Sequence, residues 1–198
     1  MLWQHKNQKK VNQKNNIVEE PKRIVLGVTG SIAAYKSAEI IRRLTKKGFK
    51  VSAVMTKEAE HFITPLTLSR LSGDKVYRDM FDGQGDSWDI GHISLADAAD
   101  VLLIAPATAN IISKIACGIA DDLLTCIAMA TKAKILIAPA MNENMYKNKI
   151  VVENCEKLKK HGVIFIGPIE GKLACGKTAI GHIADEDEIV EEVIRSLK

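Results

Sequence analysis

Residues 23–36 read RIVLGVTGSIAAYK, and this stretch decides the fold. It begins as a short apolar run rich in β-branched residues, which is typical of a buried β-strand. The chain then turns at Gly30 and Ser31 and continues in a helical pattern. Such a turn directs backbone N–H groups and the positive end of a helix at one point. We expect a ligand phosphate at Gly30, Ser31 and Ile32, although the same residues fit a plain strand–helix turn capped by serine.

Length and charge indicate one folded domain behind a polar tail. The chain has 198 residues and a net charge of +4, and residues 1–22 hold five lysines against two glutamates. Residues 1–21 are rich in Asn, Gln and Lys, which predicts a disordered tail, and residues 22–198 are predicted to form one domain. The domain has no basic stripe of the kind that binds nucleic acid.

Apolar runs and cysteines limit the class of protein further. No run approaches the roughly 18–20 apolar residues of a membrane span, and the N-terminus lacks the apolar region of a secretory signal. Cys117, Cys126, Cys155 and Cys175 have no CxxC spacing, so no metal site is predicted. The first three lie in helical patterns and are predicted to be small core residues. We expect a cytoplasmic protein.

Strand and helix patterns alternate along the whole chain. After the opening strand, apolar β-type runs occupy residues 51–55, 101–105, 134–138 and 163–166, with helical patterns between them. This alternation predicts an α/β fold, a Rossmann-like or flavodoxin-like three-layer sandwich with a parallel central sheet. No strand or helix is assigned to the glycine-rich residues 168–183. Because ligands bind beyond the carboxyl ends of such strands, the residues that follow each strand are the candidate site.

The residues at the strand ends narrow the class of ligand. A full GxGxxG motif is absent, and the second strand ends at Met55 and Thr56 without an acidic residue, which disfavours NAD. No GKS or GKT sequence is present, which disfavours an ATP-binding loop. The segments PATAN (106–110) and PAMN (139–142) combine small residues with Thr and Asn, so a flat ring could approach their backbone. With NAD and ATP disfavoured, the phosphate of a mononucleotide remains the candidate ligand for the Gly30 turn.

Five motifs in order resemble a known family. They are GSIAAYK (30–36), GHIxL (91–95), PATAN (106–110), PAMNxxMY (139–146) and LACG (173–176). Residues 22–197 thereby resemble the homo-oligomeric flavin-containing cysteine decarboxylases, in particular the phosphopantothenoylcysteine decarboxylases. They are also similar to the N-terminal half of bifunctional bacterial proteins whose other half is a ligase of coenzyme A biosynthesis. Whether the chain stands alone or is a fragment of such a protein stays open.

The resemblance implies FMN as the cofactor, with its phosphate at Gly30, Ser31 and Ile32. Other contacts would come from the strand ends, namely Thr56, Thr108, Ala109, Asn110, Ile111 and the backbone at Ala140. It also implies a trimer or an assembly of trimers with the flavin at the subunit interface, and a possible ligase partner. The reaction would convert 4′-phosphopantothenoylcysteine into 4′-phosphopantetheine by oxidation of the cysteine thiol, loss of CO₂ and reduction.

Four residues carry the chemistry that the resemblance implies. His92 would act as a base, because imidazole titrates near neutral pH. Asn142 would hold the substrate carboxylate by a hydrogen bond, whereas a cationic side chain would over-stabilise the carboxylate before CO₂ leaves. Met145 would shape the substrate site. Cys175 would return a proton to carbon, since a thiol is protonated at neutral pH. Each residue also has a purely structural interpretation. His92 could be a surface or cap histidine, Asn142 a turn residue, Met145 a packing residue and Cys175 a free surface cysteine.

The chain departs from the family pattern after the cysteine. Lys177 stands where many members have Asp, and Gly181-His182-Ile183 replaces a Gly-Arg-Met or Gly-Ala-Met stretch. His182 or Lys177 would then be candidates for contacts to the substrate. Three other functions stay open, namely a peptidyl-cysteine decarboxylase of lantibiotic type, a flavin prenyltransferase and a flavin-binding regulatory subunit. The cysteine of LACG favours a decarboxylase that also reduces its product over the lantibiotic-type enzyme. The presence of His92 and Cys175 argues against a prenyltransferase and against a regulatory subunit.

Overall fold

The computed structural model describes residues 20–80, 91–172, 176 and 178–198. The predicted disorder of residues 1–21 falls almost wholly outside this part of the chain, as do Cys175 and Lys177, so these predictions remain untested. The strands are β1 Arg23–Val28, β2 Lys50–Met55, β3 Val101–Ala107, β4 Lys134–Pro139, β5 Ile164–Phe165, β6 Ile169–Lys172 and β7 Thr178–His182. The helices are α1 Lys36–Lys46, α2 Pro65–Ser72, α3 Gly91–Ala98, α4 Ala109–Cys117, α5 Leu123–Ala130, α6 Glu143–Tyr146, α7 Lys149–Lys160 and α8 Glu186–Ser196. Short 3₁₀ turns occupy Ile32–Tyr35 and Lys57–His61.

The central sheet has five parallel strands in the order β2-β1-β3-β4-β5. The chain moves from β1 to β2 on one side and then crosses to β3 on the other. This order is that of the flavodoxin-like doubly wound folds, whose ligand lies at the switch point between β1 and β3. The predicted α/β sandwich with a parallel sheet is therefore confirmed.

Both faces of the sheet are buried, because alternate strand residues point to opposite sides. Ile24 and Leu26 of β1 belong to a core that includes residues of α1 and α8. Val25 belongs to a second core, which includes residues of α4, α5 and α7. The strands are therefore apolar almost throughout, as in parallel sheets covered by helices on both faces.

A buried threonine joins the ends of β1 and β3. The Thr29 hydroxyl donates to the Pro106 carbonyl at 2.7 Å and accepts from the Thr108 N–H at 3.1 Å. Below it, the buried Ser37 hydroxyl donates to the Ala105 carbonyl at 2.9 Å. These bonds fix the two strand ends relative to each other at the switch point.

Residues 168–183 contain an antiparallel hairpin that the sequence did not predict. Its strands are β6 and β7, and it stands apart from the main sheet. The hairpin is held against the end of β4, where the Met141 N–H donates to the Gly181 carbonyl at 3.1 Å. Gly181 has a φ of +127°, and a Cβ there would lie 2.2 Å from the Met141 carbonyl oxygen. Only glycine permits this approach.

Candidate cofactor and substrate site

A cavity of about 590 Å³ opens at the carboxyl ends of β1, β3 and β4. Seven of the residues predicted from the sequence line it, namely Gly30, Ser31, Ile32, Thr108, Ala140, Asn142 and Met145. They come from three separate strand ends, as the rule that ligands bind beyond the carboxyl ends of parallel strands predicts. The structure therefore brings together the PAMN segment and the turn from Gly30 to Ile32, which is called the phosphate turn below because a phosphate is predicted there.

The phosphate turn is stabilised by hydrogen bonds within the turn and by close packing against Glu58. The Ser31 hydroxyl caps the following 3₁₀ turn by accepting from the Ala33 N–H at 3.3 Å, and the Ser31 N–H donates to the Thr29 carbonyl at 2.8 Å. A Cβ on Gly30 would lie 2.4 Å from the Cβ of Glu58. Glycine is therefore required at position 30 because the turn packs directly on the segment that follows β2. The turn itself uses the Ala33 and Ser31 N–H groups, so a phosphate there would bind other N–H groups, such as that of Ile32.

Thr56, at the end of β2, has a buried hydroxyl whose hydrogen bonding indicates whether the site fits a polar ligand. Its N–H donates to the Val28 carbonyl at 3.0 Å, which holds it beside the phosphate turn. Its hydroxyl oxygen is buried and has no hydrogen-bond partner among the residues described. An unsatisfied buried hydroxyl is unfavourable, and a polar ligand atom would satisfy it. The residues at the ends of β1 and β2 therefore fit a cofactor with polar groups.

Thr56 itself borders a second cavity, of about 390 Å³, rather than the first. Basic and acidic side chains share this second space. Lys114 pairs with Asp121 at 2.7 Å and with Asp122 at 3.1 Å. Burial alone would raise the pKa of Asp122, but hydrogen bonds from Thr125 and Lys114 outweigh it and lower that pKa. The charges at this cavity are therefore largely paired within the protein.

The PATAN segment begins α4, and its residues face different directions. Thr108 caps the helix by accepting from the Ile111 N–H at 3.4 Å, and it borders the main cavity. Ala109 and Ile111 are buried in the second core, while Asn110 is exposed. The predicted contacts at residues 109–111 thus remain predictions, because these residues do not line the main cavity.

Asn142 combines a cap with a free donor. Its side-chain oxygen accepts from the Asn144 N–H at 2.8 Å and so begins α6. No described residue accepts a hydrogen bond from its side-chain NH₂ group, and Asn142 lines the main cavity. The cap orients the amide, which leaves the NH₂ group for a ligand. The turn role is therefore observed, and the ligand role, which the cap does not exclude, remains a prediction.

The two predicted catalytic residues are not brought together by the described part of the chain. His92 lies half-buried in the first turn of α3 and is not among the residues that line the main cavity. Cys175 falls outside the described residues. Of the other cysteines, only Cys155 is a buried core residue, and burial raises the pKa of its thiol. The prediction of a core position was wrong for Cys117, which is exposed at the end of α4.

Sequence reasoning missed several residues of the main cavity. Tyr35, Lys36 and Lys172 also line it, and His182, raised only as a candidate, does so too. Thr29 was missed as the residue that fixes Thr108, although a threonine at the end of an apolar strand is a recognisable signal. Within the described residues, no helix is long and apolar enough to cross a membrane, and no group of three or more His, Cys, Asp or Glu could hold a metal ion.

A doubly wound parallel sheet with a ligand cavity at its switch point defines a nucleotide- or flavin-type binding fold. Comparison with protein families identifies which of these two classes of ligand applies. Residues 12–198 match the family described as flavoprotein. The chain therefore belongs to the flavoprotein family, and a flavin is the class of cofactor that this family indicates.

Curated relatives and solved structures point to one branch of this family. The chain is 45% identical over 169 residues to the coenzyme A biosynthesis bifunctional protein CoaBC of Vibrio cholerae, covering 85% of this chain and 42% of that protein. It is 44% identical to the CoaBC protein of Borreliella burgdorferi, covering 89% of this chain and 45% of that protein. The chain thus spans less than half the length of these relatives.

Two solved structures have the same fold. A cysteine-to-serine mutant of PPC decarboxylase, complexed with pantothenoylaminoethenethiol, superposes with a TM-score of 0.80 at 33% identity, covering 88% of this chain and 97% of that one. The FMN binding protein AtHal3 superposes with a TM-score of 0.78 at 34% identity, covering 89% and 96%. The resemblance inferred from the five motifs is confirmed.

Proposed function

We propose that this protein is an FMN-dependent decarboxylase of 4′-phosphopantothenoylcysteine in coenzyme A biosynthesis, formed by residues 22–198 and acting in the cytoplasm. The observation that carries the proposal is the meeting of the phosphate turn, Thr108 and Asn142 in one cavity. The decarboxylase and FMN-binding proteins of the same fold support both the reaction and FMN as the particular flavin.

The residues have separate roles in this reaction. A bound flavin supplies the two-electron oxidation of the cysteine thiol and the later reduction. The turn from Gly30 to Ile32 holds the cofactor phosphate with the backbone N–H groups that it does not use internally. The NH₂ group of Asn142 donates to the substrate carboxylate and holds it in place until CO₂ leaves.

Proton transfer falls to the two residues that the sequence assigned to it. His92 takes the proton released on oxidation, and Cys175 gives a proton to the carbon that lost CO₂. Oxidation and loss of CO₂ without that final protonation and reduction would leave an ethenethiol. The ligand of the cysteine-to-serine PPC decarboxylase mutant is such a compound, which supports the role of Cys175.

The position of His92 supports a homo-oligomer. His92 does not line the main cavity of its own chain, and in the proposed assembly it would approach the cavity of a neighbouring subunit. A trimer with the flavin at the interface, as the sequence predicts, supplies that neighbour. The bifunctional relatives suggest a ligase, fused or separate, as a further partner.

The test is a spectrum and a product assay on the purified protein. We expect flavin absorbance, or reconstitution by FMN, and conversion of 4′-phosphopantothenoylcysteine to 4′-phosphopantetheine seen by mass spectrometry. A peptide ending in cysteine is the control substrate for the lantibiotic-type alternative. Release of CO₂ from the peptide alone would move the function to that class, and a protein that cannot bind FMN would refute the proposal.

A further inference from the structure

The main cavity borders an ion pair that is largely buried. Its described lining includes Lys36 but no Asp or Glu. The Lys36 Nζ lies 3.2 Å from the Glu186 carboxylate, and the two side chains are only 12% and 16% exposed. Glu186 itself is not among the residues that line the cavity. The cavity wall thus contains the lysine, whereas the counter-charge of that lysine comes from behind the wall.

The carboxylate of Glu186 is held in place by the packing of α8 on α1. Ile189 and Val190 of α8 are buried in the core that also includes residues of α1. Next to Glu186, Asp187 forms a second ion pair with Arg43 of α1. Because Asp187 is 72% exposed, solvent screens this second pair, whereas the Lys36–Glu186 pair is largely shielded from water. Glu186 therefore stays beside Lys36, and its charge acts at close to full strength.

Lys36 is close enough to the phosphate turn to act on a ligand there. It begins α1 directly after the 3₁₀ turn Ile32–Tyr35, which starts at the last residue of the phosphate turn. The 4 residues of this 3₁₀ turn rise about 8 Å, so the Lys36 backbone lies about that far from the phosphate turn. A full positive charge about 10 Å from a bound phosphate would change its affinity roughly tenfold at an effective dielectric constant of about 20.

We propose that Glu186 cancels the charge of Lys36 and thereby limits how tightly the main cavity binds anionic ligands. This inference rests on the proposed function, in which both the cofactor and the substrate are anionic. Two opposite charges a few Å apart produce a much weaker field at longer range than a single charge does. Anionic ligands are then held by local contacts, such as the N–H groups of the phosphate turn. A substrate bound less tightly before the reaction leaves more of the binding energy for the transition state.

The test compares FMN with riboflavin, which lacks the phosphate, by fluorescence titration of the flavin-free protein at about 0.15 M salt, where exposed charges are screened. Glu186→Gln should raise the ratio of FMN to riboflavin affinity about tenfold, because it leaves the Lys36 charge unbalanced. Lys36→Met should lower the ratio about tenfold, since it leaves the carboxylate unbalanced. The matched control, Glu188→Gln, removes the same charge from an exposed residue of α8 that does not line the cavity, and it should keep the wild-type ratio.

A double variant that combines Lys36→Met with Glu186→Gln separates charge from packing. It leaves no unpaired buried charge, so it should fold and keep the wild-type ratio even if Glu186→Gln alone is too unstable to purify. A different ratio in the double variant would overturn the inference, as would a ratio that Glu186→Gln leaves unchanged because both flavins bind less tightly.

The same measurements separate this inference from the proposed function. A wild type that binds FMN without decarboxylating 4′-phosphopantothenoylcysteine would overturn the proposed function alone, because the ratio still reports the charge at the cavity wall. A wild type that binds neither flavin would overturn both.

Discussion

Replacing Thr29 by valine tests whether the ends of β1 and β3 are fixed by a side chain. Valine has nearly the same shape but removes a donor to the Pro106 carbonyl and an acceptor for the Thr108 N–H, at 2.7 and 3.1 Å. A buried group left without a partner costs about 1–3 kcal/mol. The Pro106 bond is buried, whereas the Thr108 bond is partly exposed and water can replace some of it. We expect the free energy of unfolding to fall by about 2–3 kcal/mol.

The matched control is Thr131→Val. The Thr131 hydroxyl also makes two hydrogen bonds, donating to the Ala96 carbonyl at 3.0 Å and accepting from the Ala133 N–H at 3.1 Å. This site is half-buried and does not line the cavity, so we expect a loss of about 1 kcal/mol and no change in FMN affinity. Urea unfolding of the flavin-free proteins and titration with FMN, followed by flavin fluorescence, measure the two quantities.

The two measurements together decide the role of Thr29. Because Thr108 borders the cavity and is bonded to Thr29, Thr29→Val should weaken FMN binding by about tenfold as well as lower stability. If Thr29→Val lowered stability no more than Thr131→Val does, the hydroxyl would not fix the strand ends. If it lowered stability but left FMN affinity unchanged, the strand ends would be fixed for folding alone and the link to the site would be wrong.

Three further predictions follow from single features. Thr56→Val removes an unpartnered buried hydroxyl, so flavin-free stability should not fall while FMN affinity drops by about tenfold; equal affinity in a fluorescence titration would exclude a flavin contact. Hydrogen bonds from Arg42 and Arg43 lower the pKa of Glu39 from 4.5 to about 2, so its stabilisation is complete above pH 4.5 and disappears as the pH falls toward 2. Urea midpoints of Glu39→Gln should therefore fall less over this range than those of the wild type, and an unchanged fall would contradict the shift. His92→Asn and Asn142→Asp should each be inactive, yet mixed oligomers should regain activity if subunits share a site; no recovery despite proven mixing would place His92 in its own subunit.

The regular part of the fold could be predicted because its signals are local. An apolar β-branched run followed by a glycine-serine turn and a helical pattern defines one strand–helix unit, and its repetition predicts a parallel sheet. The rule that ligands lie at the strand ends then predicts that Gly30, Thr108 and Asn142 share one site. These three line the same cavity.

The remainder depends on contacts between distant parts of the chain. The β6–β7 hairpin is short and rich in glycine, so neither periodicity nor β-propensity indicates it. It is fixed by the bond between Gly181 and Met141, 40 positions apart in sequence. The position of His92 depends on packing between helices, and no local pattern in the sequence shows whether it lines the cavity of its own chain.

The same few bonds determine both ends of the site. Thr29 fixes Thr108 relative to the phosphate turn, and Gly181 fixes the hairpin relative to Met141, the residue next to Asn142. A change at either hydrogen bond should therefore affect ligands at a distance, since the residues predicted to bind them lie on separate strand ends. The cofactor end depends on the Thr29–Thr108 hydrogen bond, and the substrate end depends on the Gly181–Met141 hydrogen bond. For this reason Thr29→Val should impair FMN binding, whereas Gly181→Ala, whose Cβ would meet the Met141 carbonyl oxygen, should disturb the substrate end and leave FMN bound.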